Sequence, residues 1–391
     1  LESFCRGRLN LAGPVPLHAP RFSGRETEYV TDCIKTGWVS SVGSYVNRFE
    51  NQVAAACDVR FGIATVNGTA ALHAALYAHD IGAGDLVLCP ALTFVATANA
   101  IVYCGATPLF IDSSRETLGI DVGKLAEFLE RRCHRIGGGT YYKGRRIAAA
   151  IPVHIFGHPV DFAPLAELCS QANIALIEDA TEALGSRYRG KPCGSLARVA
   201  VFSFNGNKII TTGGGGMLVT DDEILARRLK HLTTTARVPH DWLVDHDEVG
   251  FNYRLPNINA ALGCAQMEIL PELVRNKRHL ADLYADVFLD AEEAALFRPR
   301  ADVESIYWLN ALMFRDAGVR DRFLEETNAR ELQTRACWRL MPELSAFAGA
   351  EQSDDLAGAR DIAARLVNIP SSPWMVGSSS FAKSAAALGE A

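Results

Sequence analysis

Ile174–Leu184 reads IALIEDATEAL. An uninterrupted apolar run ends in two acids and then small residues, without the alternation of a half-exposed strand. A strand of that kind is buried on both faces, the pattern of a parallel sheet covered by helices on each side. The pattern recurs outward from it, at Phe61–Val66, Leu86–Cys89, Pro108–Ile111, Ile147–Val153, Val199–Phe204 and Met217–Thr220. Helix-type runs alternate with these strands, at Thr69–His79, Thr93–Cys104, Val122–Arg132, Phe162–Ala172 and Asp222–His231. The alternation predicts an α/β domain on a mainly parallel seven-stranded sheet sandwiched by helices. Asp161 and Asp221 stand where helix N-caps belong.

The pattern changes after about residue 255. Ile258–Glu268 and Leu273–Phe288 read as long helices, with Pro271 breaking between them. Ile306–Phe314 reads as a strand in a mixed remainder. The expected organisation is a large α/β domain over 16–255, a smaller α+β domain over 256–375, and a loose tail over 376–391.

Composition narrows the function classes. The 391 residues carry a formal charge of −6, which argues against a clustered basic footprint for nucleic acid. No stretch approaches the roughly 18 apolar residues of a membrane span, and the first residues lack the apolar core of a signal peptide. Ten cysteines are scattered without a C-x-x-C pair, as expected of reduced thiols in a cytoplasmic protein.

Several motifs are look-alikes. Gly185–Lys191, GSRYRGK, fits the first seven places of a phosphate-binding loop, but Pro192 stands where Ser or Thr is required. His154 and His158 are four apart, yet Gly157 and Pro159 argue against a shared helical face, so a zinc pair is not expected. His154, at a strand end, is left as a pocket-lining candidate. The acidic, histidine-containing stretch His240–Glu248 reads as a solvated loop.

Three other segments carry chemistry together. Val66–Leu72, VNGTAAL, is a strand, an Asn-Gly-Thr turn and a helix start, whose free N–H groups and Thr69 hydroxyl suit a phosphate. Helix caps of this kind are common, so alone it says little. The Ile174 strand delivers Glu178 and Asp179 to its C-terminal end, where open parallel sheets bind ligands; a plain helix-capping Asp is the alternative. Val201–Gly216, VFSFNGNKIITTGGGG, places Lys208 in a short loop before four glycines. A surface lysine is the ordinary reading, but apolar neighbours would favour a free amine able to form a Schiff base. Phosphate cradle, carboxylate and amine on one sheet are the three demands of pyridoxal 5′-phosphate.

The chain resembles the nucleotide-sugar aminotransferases of the DegT/StrS type. The resemblance is carried by TGWVSSVGSYVNRFE, VNGTAALHAAL, PALTFVATANAI, PVHIFG, IEDATEALG, FSFNGNKIITTGGGG and VGFNYRLPNINAALG, and runs from about Pro16 to Pro370. It implies the aspartate-aminotransferase architecture, fold type I of pyridoxal phosphate enzymes. It implies that Lys208 bonds the cofactor and that Asp179 faces its pyridine nitrogen. Gly68, Thr69, Ala70 and Ser203 match the phosphate cradle, and Phe94 matches the ring-stacking aromatic. Glu182 stands where many members carry Gln or His; Glu is also seen in the perosamine-type branch. In the family, a loop like Phe251–Asn257 crosses to the neighbouring subunit's cofactor phosphate, which implies a homodimer with Asn252 and Arg254 as the crossing residues; a plain helix-entry loop is the alternative. A dehydratase branch replaces the lysine with histidine, and the presence of Lys208 disfavours it.

The implied reaction moves an amino group from a donor, glutamate, to a nucleotide-linked keto-sugar. GWVSSVGSYV, Tyr307–Leu312 and Arg365–Ser372 look most like the subgroup of the legionaminic acid or bacillosamine pathways, which aminates carbon 4 of a UDP-linked 2-acetamido-4-keto-6-deoxyhexose. A GDP-perosamine-type 4-aminotransferase is the alternative, and a non-catalytic pyridoxal phosphate sensor is the alternative of another class. Trp38 and Trp308 are candidates for the sugar pocket, with core packing equally open to each.

Overall fold

The computed structural model describes residues 1–376. The expected tail from Gly377 lies outside them. The large sheet is built from β1 (Phe61–Thr65), β2 (Leu86–Pro90), β3 (Thr107–Ile111), β4 (Arg145–Ala150), β5 (Ala175–Asp179), β6 (Val199–Ser203) and β7 (Gly216–Thr220). These seven lie in the order β1–β7–β6–β5–β4–β2–β3. Neighbours are parallel except at β7, which runs antiparallel to both β1 and β6. A two-residue strand at 351–352 extends the sheet beyond β3, and a hairpin at 134–142 extends β4.

The continuous apolar runs have a direct explanation. Alternate residues of one strand enter two different cores. On β2, Val87 and Cys89 pack with Leu72 and Ile101, whereas Leu86 and Leu88 pack with Leu125, Phe128 and Leu165. After α1 (Glu26–Thr36) and α2 (Ser44–Ala56), the first set comes from α3 (Gly68–Ala78) and α4 (Val95–Tyr103), and the second from α5 (Val122–Arg132) and α6 (Phe162–Gln171). Every residue of β2 and β7 is buried, and the one polar side chain, Thr220, spends its hydroxyl on the Arg198 carbonyl. Burying one such side chain contributes about 1.5–3 kcal/mol.

Helix starts follow their caps. Asp222, and not Asp221, caps α7 (Glu223–Thr233), accepting from the Leu225 N–H at 3.0 Å. Asp221 instead accepts from the Arg60 N–H at 2.9 Å. Asp161 sits at the start of α6 but makes no cap bond; its carboxylate takes the Tyr188 hydroxyl and Arg300.

The third core gathers residues from both ends of the chain. It joins Phe4 and Val15 to Leu280, Tyr284, Leu312 and Val367. Its antiparallel sheet comprises β8 (Ala294–Leu296), β9 (Asn310–Phe314), β10 (Arg335–Ala336) and β11 (Leu366–Ile369), in the order β8–β9–β11–β10. The expected break at Pro271 is absent: α8 runs unbroken over Asn257–Val287 with Pro271 inside it. A mid-helix proline costs about 3 kcal/mol, and the flanking Leu270 and Leu273, both buried in the first core, offset it. All ten cysteines are free. Among the described residues, no helix is long and apolar enough to cross a membrane.

Candidate active site

The C-terminal ends of β5 and β6 and the N-terminus of α3 converge on one cavity of about 280 Å³. Gly68, Thr69, Phe94, Asp179, Glu182, Ser203, Lys208 and Trp308 all line it.

At one end the chain leaves β1 and enters α3. The Asn67 side chain caps the helix, accepting from the Ala70 N–H at 2.7 Å. The preceding helical N–H groups lack intrahelical partners by construction and present a positive dipole end. A Cβ on Gly68 would meet Ser203 Cβ at 3.1 Å and Thr181 Cγ2 at 3.3 Å, so glycine keeps this end open. The glycine run also acts here: a Cβ on Gly216 would stand 2.4 Å from the Asn67 carbonyl oxygen. The close passage of β7 therefore fixes the cradle from behind.

Asp179 ends β5 and is buried. Its Oδ2 accepts from Thr97 Oγ1 at 2.9 Å, and its Oδ1 accepts from Thr181 Oγ1 at 2.7 Å and the Thr181 N–H at 3.2 Å. Its backbone is held on both sides, by Pro152 and by His154. These bonds orient the carboxylate, and burial without such partners would be costly.

Lys208 follows β6 in a turn that its own N–H closes on the Asn205 carbonyl at 3.0 Å. Its Nζ donates to Glu182 Oε1 at 3.0 Å and lies 3.8 Å from the centre of the Trp308 ring. The amine thus has a carboxylate and an indole face as neighbours, not the apolar shell expected from sequence. Trp308 is pinned by its own Nε1–H, which donates to the Asn207 carbonyl at 2.7 Å. Glu182 Oε2 accepts from the Phe156 N–H at 2.8 Å. Burial pushes the Glu182 carboxyl above its usual range, opposed by the Lys208 charge and the Phe156 N–H. Phe156 makes that bond from a left-handed backbone conformation, φ 56°.

Three expected site residues lie elsewhere, and the two expected to cross to a neighbouring subunit lie outside the cavity of their own chain. Ala70 does not line the cavity, and its N–H is taken by Asn67. His154 is fully buried behind the sheet: it pairs with Glu178 at 3.0 Å and accepts the Val160 N–H, so it cannot reach a sugar. Cys193 completes a buried cluster with that pair, but Glu178 already accepts from the Gly194 and Leu196 N–H groups and reads as a structural clamp. Trp38 is 58% exposed and lines a separate groove beside Asn257. Arg254 bridges to Thr65 at the end of β1 and Asn252 to Thr234 just after α7, both outside the cavity of their own chain. Arg254 Nε is buried without a hydrogen-bond partner.

The sequence reading missed Asn67, Thr97, Thr181, Asn207, Arg335 and Trp338, which also line the cavity. Thr181 could have been found two places after Asp179. Arg335 and Trp338 arrive from the small antiparallel sheet, and no sequence spacing links them to Lys208.

The model of the DegT/DnrJ/EryC1/StrS aminotransferase family matches residues 20–380. The chain is 35% identical to GDP-perosamine synthase of Escherichia coli O157:H7 over 92% of its own length and 93% of the relative. It is equally 35% identical to GDP-perosamine synthase of Caulobacter vibrioides, over 91% and 92%. Among solved structures, the aminotransferase TlmJ of Streptoalloteichus hindustanus superposes with a TM-score of 0.84 at 28% identity, covering 95% of this chain and 96% of that one. The fold type I architecture expected from sequence agrees with that superposition.

Proposed function

The chain belongs to the DegT/DnrJ/EryC1/StrS aminotransferase family, and from that premise we propose that it moves the amino group of glutamate onto carbon 4 of a GDP-linked 4-keto-6-deoxyhexose. The observation that carries the reading is the meeting of Lys208, Asp179 and the α3 N-terminus in one cavity. The GDP-linked sugar is supported by the two perosamine synthases, each matched over nine-tenths of its length. Glu182 agrees with it, being the residue type of the perosamine-type branch.

This reading replaces the UDP-linked acetamido sugar expected from sequence. The segments behind that expectation do mostly structural work. GWVSSVGSYV carries Trp38 into another groove. Arg365–Ser372 forms β11 and then Ser371, whose hydroxyl accepts the Asn310 N–H at 2.8 Å. Only Tyr307–Leu312 reaches the cavity, through Trp308.

The residues fit pyridoxal 5′-phosphate, whose ring, when bound, takes up the electron pair released at the carbon next to the reacting nitrogen. The open cradle at Gly68, with the Thr69 and Ser203 hydroxyls, would hold its phosphate; Asp179 would face its pyridine nitrogen, Phe94 would cover its ring, and Lys208 would bond it. Once released, Lys208 moves a proton to and from the donor's α-carbon, and later carbon 4 of the sugar. Such positioned transfer contributes roughly 10²–10⁴-fold. Glu182, which accepts from Nζ at 3.0 Å, would orient the amine for that transfer. In a homodimer, Asn252 and Arg254 would complete the neighbouring cradle; their place outside the cavity of their own chain supports this. So does the exposure of Tyr103, which packs on His73 beside Phe251.

Paired assays test the substrate. GDP-4-keto-6-deoxymannose is expected to be aminated at least about 10-fold faster, in kcat/KM, than the UDP-linked 2-acetamido-4-keto sugar, since leaving polar recognition groups unpaired costs at least that much. The reverse ratio would restore the acetamido reading. Gly68→Val tests the cradle: overpacking of about 1–3 kcal/mol against Ser203 and Thr181 should weaken cofactor affinity by roughly 10-fold or more. Quenching of cavity tryptophan fluorescence on titrating the cofactor reads that affinity.

A further inference from the structure

Lys277, on α8, is fully buried. Its Nζ donates to two backbone carbonyls, that of Trp308 at 2.6 Å and that of Ser371, just after β11. No carboxylate pairs with it among the described residues. Burying an amine in such company is costly, and burial pushes Lys277 well below the usual range of a lysine. The chemistry at Lys208 makes no direct use of it.

The segment that Lys277 grips is strained. Tyr307 has a φ of 47°, a region an aromatic residue keeps only where its surroundings hold it there. The Tyr307 N–H donates to Ser305 Oγ at 2.9 Å, and Lys277 takes the carbonyl of the residue that follows. From that grip, two routes lead to the reacting amine. The Trp308 ring centre lies 3.8 Å from Lys208 Nζ, and its Nε1–H is tied to the carbonyl of Asn207, the residue before Lys208. The Leu309 N–H donates to the Phe156 carbonyl at 3.4 Å, and the Phe156 N–H holds Glu182, whose other oxygen takes Nζ. Both neighbours of Nζ, the indole face and the carboxylate, therefore hang on the backbone that Lys277 fixes.

We infer that Lys277 is a positioning residue for the Lys208 amine, acting through the backbone at Trp308. The inference rests on the reading of Lys208 as the group that moves the proton, and it adds the part of the fold that keeps the released amine in place. A free lysine swings on a flexible four-carbon stem. An indole face and a carboxylate restrain it only if they are themselves fixed. A tie that merely joined α8 to the small sheet would support melting and leave Nζ alone.

Lysine-by-lysine labelling separates the two roles. Holoenzyme is treated with glutamate to free Lys208, labelled briefly with acetic anhydride, digested and analysed by mass spectrometry. Lys230 on α7, paired with Glu50, is the internal reference. Lys277→Met keeps an unbranched stem and removes the donors; it is expected to raise Lys208 labelling relative to Lys230 by roughly 10-fold. Its kcat should fall by roughly 10- to 100-fold, the cost of a misplaced reacting group, with the KM values for glutamate and keto-sugar within about 3-fold. Trp308→Leu leaves Lys277 in place but removes the ring, and should raise the label by a similar factor of roughly 10. If Lys277→Met does not melt cooperatively, Lys277→Gln is read in its place, with a rise of about 3-fold expected from its shorter reach.

Unchanged Lys208 labelling in the folded Lys277 variant overturns the inference, whatever happens to its melting temperature. So does a raised label with kcat intact, and so do equal rises at Lys208 and Lys230, which report general loosening. A rise with the Lys277 variant but none with Trp308→Leu overturns the route through Trp308. Wild-type Lys208 that gains no label on addition of glutamate removes the reading of Lys208 itself, and the positioning role with it.

Discussion

Replacing Lys208 with alanine is expected to lower turnover by roughly 10⁴-fold, the upper end of what one positioned proton-transfer group supplies. The same change removes the only side-chain cation that pairs with Glu182 among the described residues. A buried carboxylate left without its partner costs about 3–5 kcal/mol unless it takes up a proton. Burial already holds the Glu182 carboxyl above its usual range, so the variant should protonate it and lose less stability than that. Adding Glu182→Gln should therefore restore the melting temperature of the single variant without restoring turnover. Steady-state rates and thermal unfolding, measured on both variants, separate the two roles. Full turnover by Lys208→Ala would remove the catalytic assignment.

Asp179→Asn is the second large effect, with turnover expected to fall by roughly 10²–10³-fold, as when a preorganised electrostatic partner is removed. Donors and acceptors around the carboxylate decide the outcome. The Thr181 N–H and both threonine hydroxyls point at Asp179 and leave its carboxylate little freedom to turn. Asparagine keeps one oxygen for Thr181 and sets an N–H₂ group against Thr97, so the cavity would meet a donor in place of an acceptor charge. The fold should tolerate the change, because the hydroxyl of Thr97 can reverse its role. Circular dichroism should then match the wild type while kcat falls. A variant that loses only cofactor affinity, with kcat intact at saturation, would give Asp179 a purely anchoring role.

Much of the sheet was legible because burial on both faces leaves an apolar run that no surface strand can carry. Phe61–Thr65, Leu86–Pro90 and Gly216–Thr220 lie within a residue or so of the expected strands for that reason. Lys208, Asp179, Gly68 and Thr69 were legible because each follows or ends a strand, or starts a helix, on the side where a parallel sheet binds ligands. Other features depend on partners that sequence does not display. Pro271 was expected to break a helix, but the packing of its neighbours outweighs the lost hydrogen bond. His154 was expected in the pocket from its place after a strand; its ring is instead fully buried between Glu178 and the Val160 N–H. Asp222 stands directly before the helix and caps it, whereas Asp221 accepts from the Arg60 N–H. Arg335 and Trp338 reach the cavity by the antiparallel pairing of β10 with β11, far from Lys208 in the chain.

One covalent attachment underlies the whole mechanism, and mass spectrometry reads it most directly. Holoenzyme is treated with borohydride to fix any carbon–nitrogen double bond to the cofactor, then digested. The pyridoxyl mass is expected on the peptide containing Lys208 and to disappear when glutamate is added before reduction. Its appearance on another lysine, or on none, would contradict the assignment of the catalytic cavity.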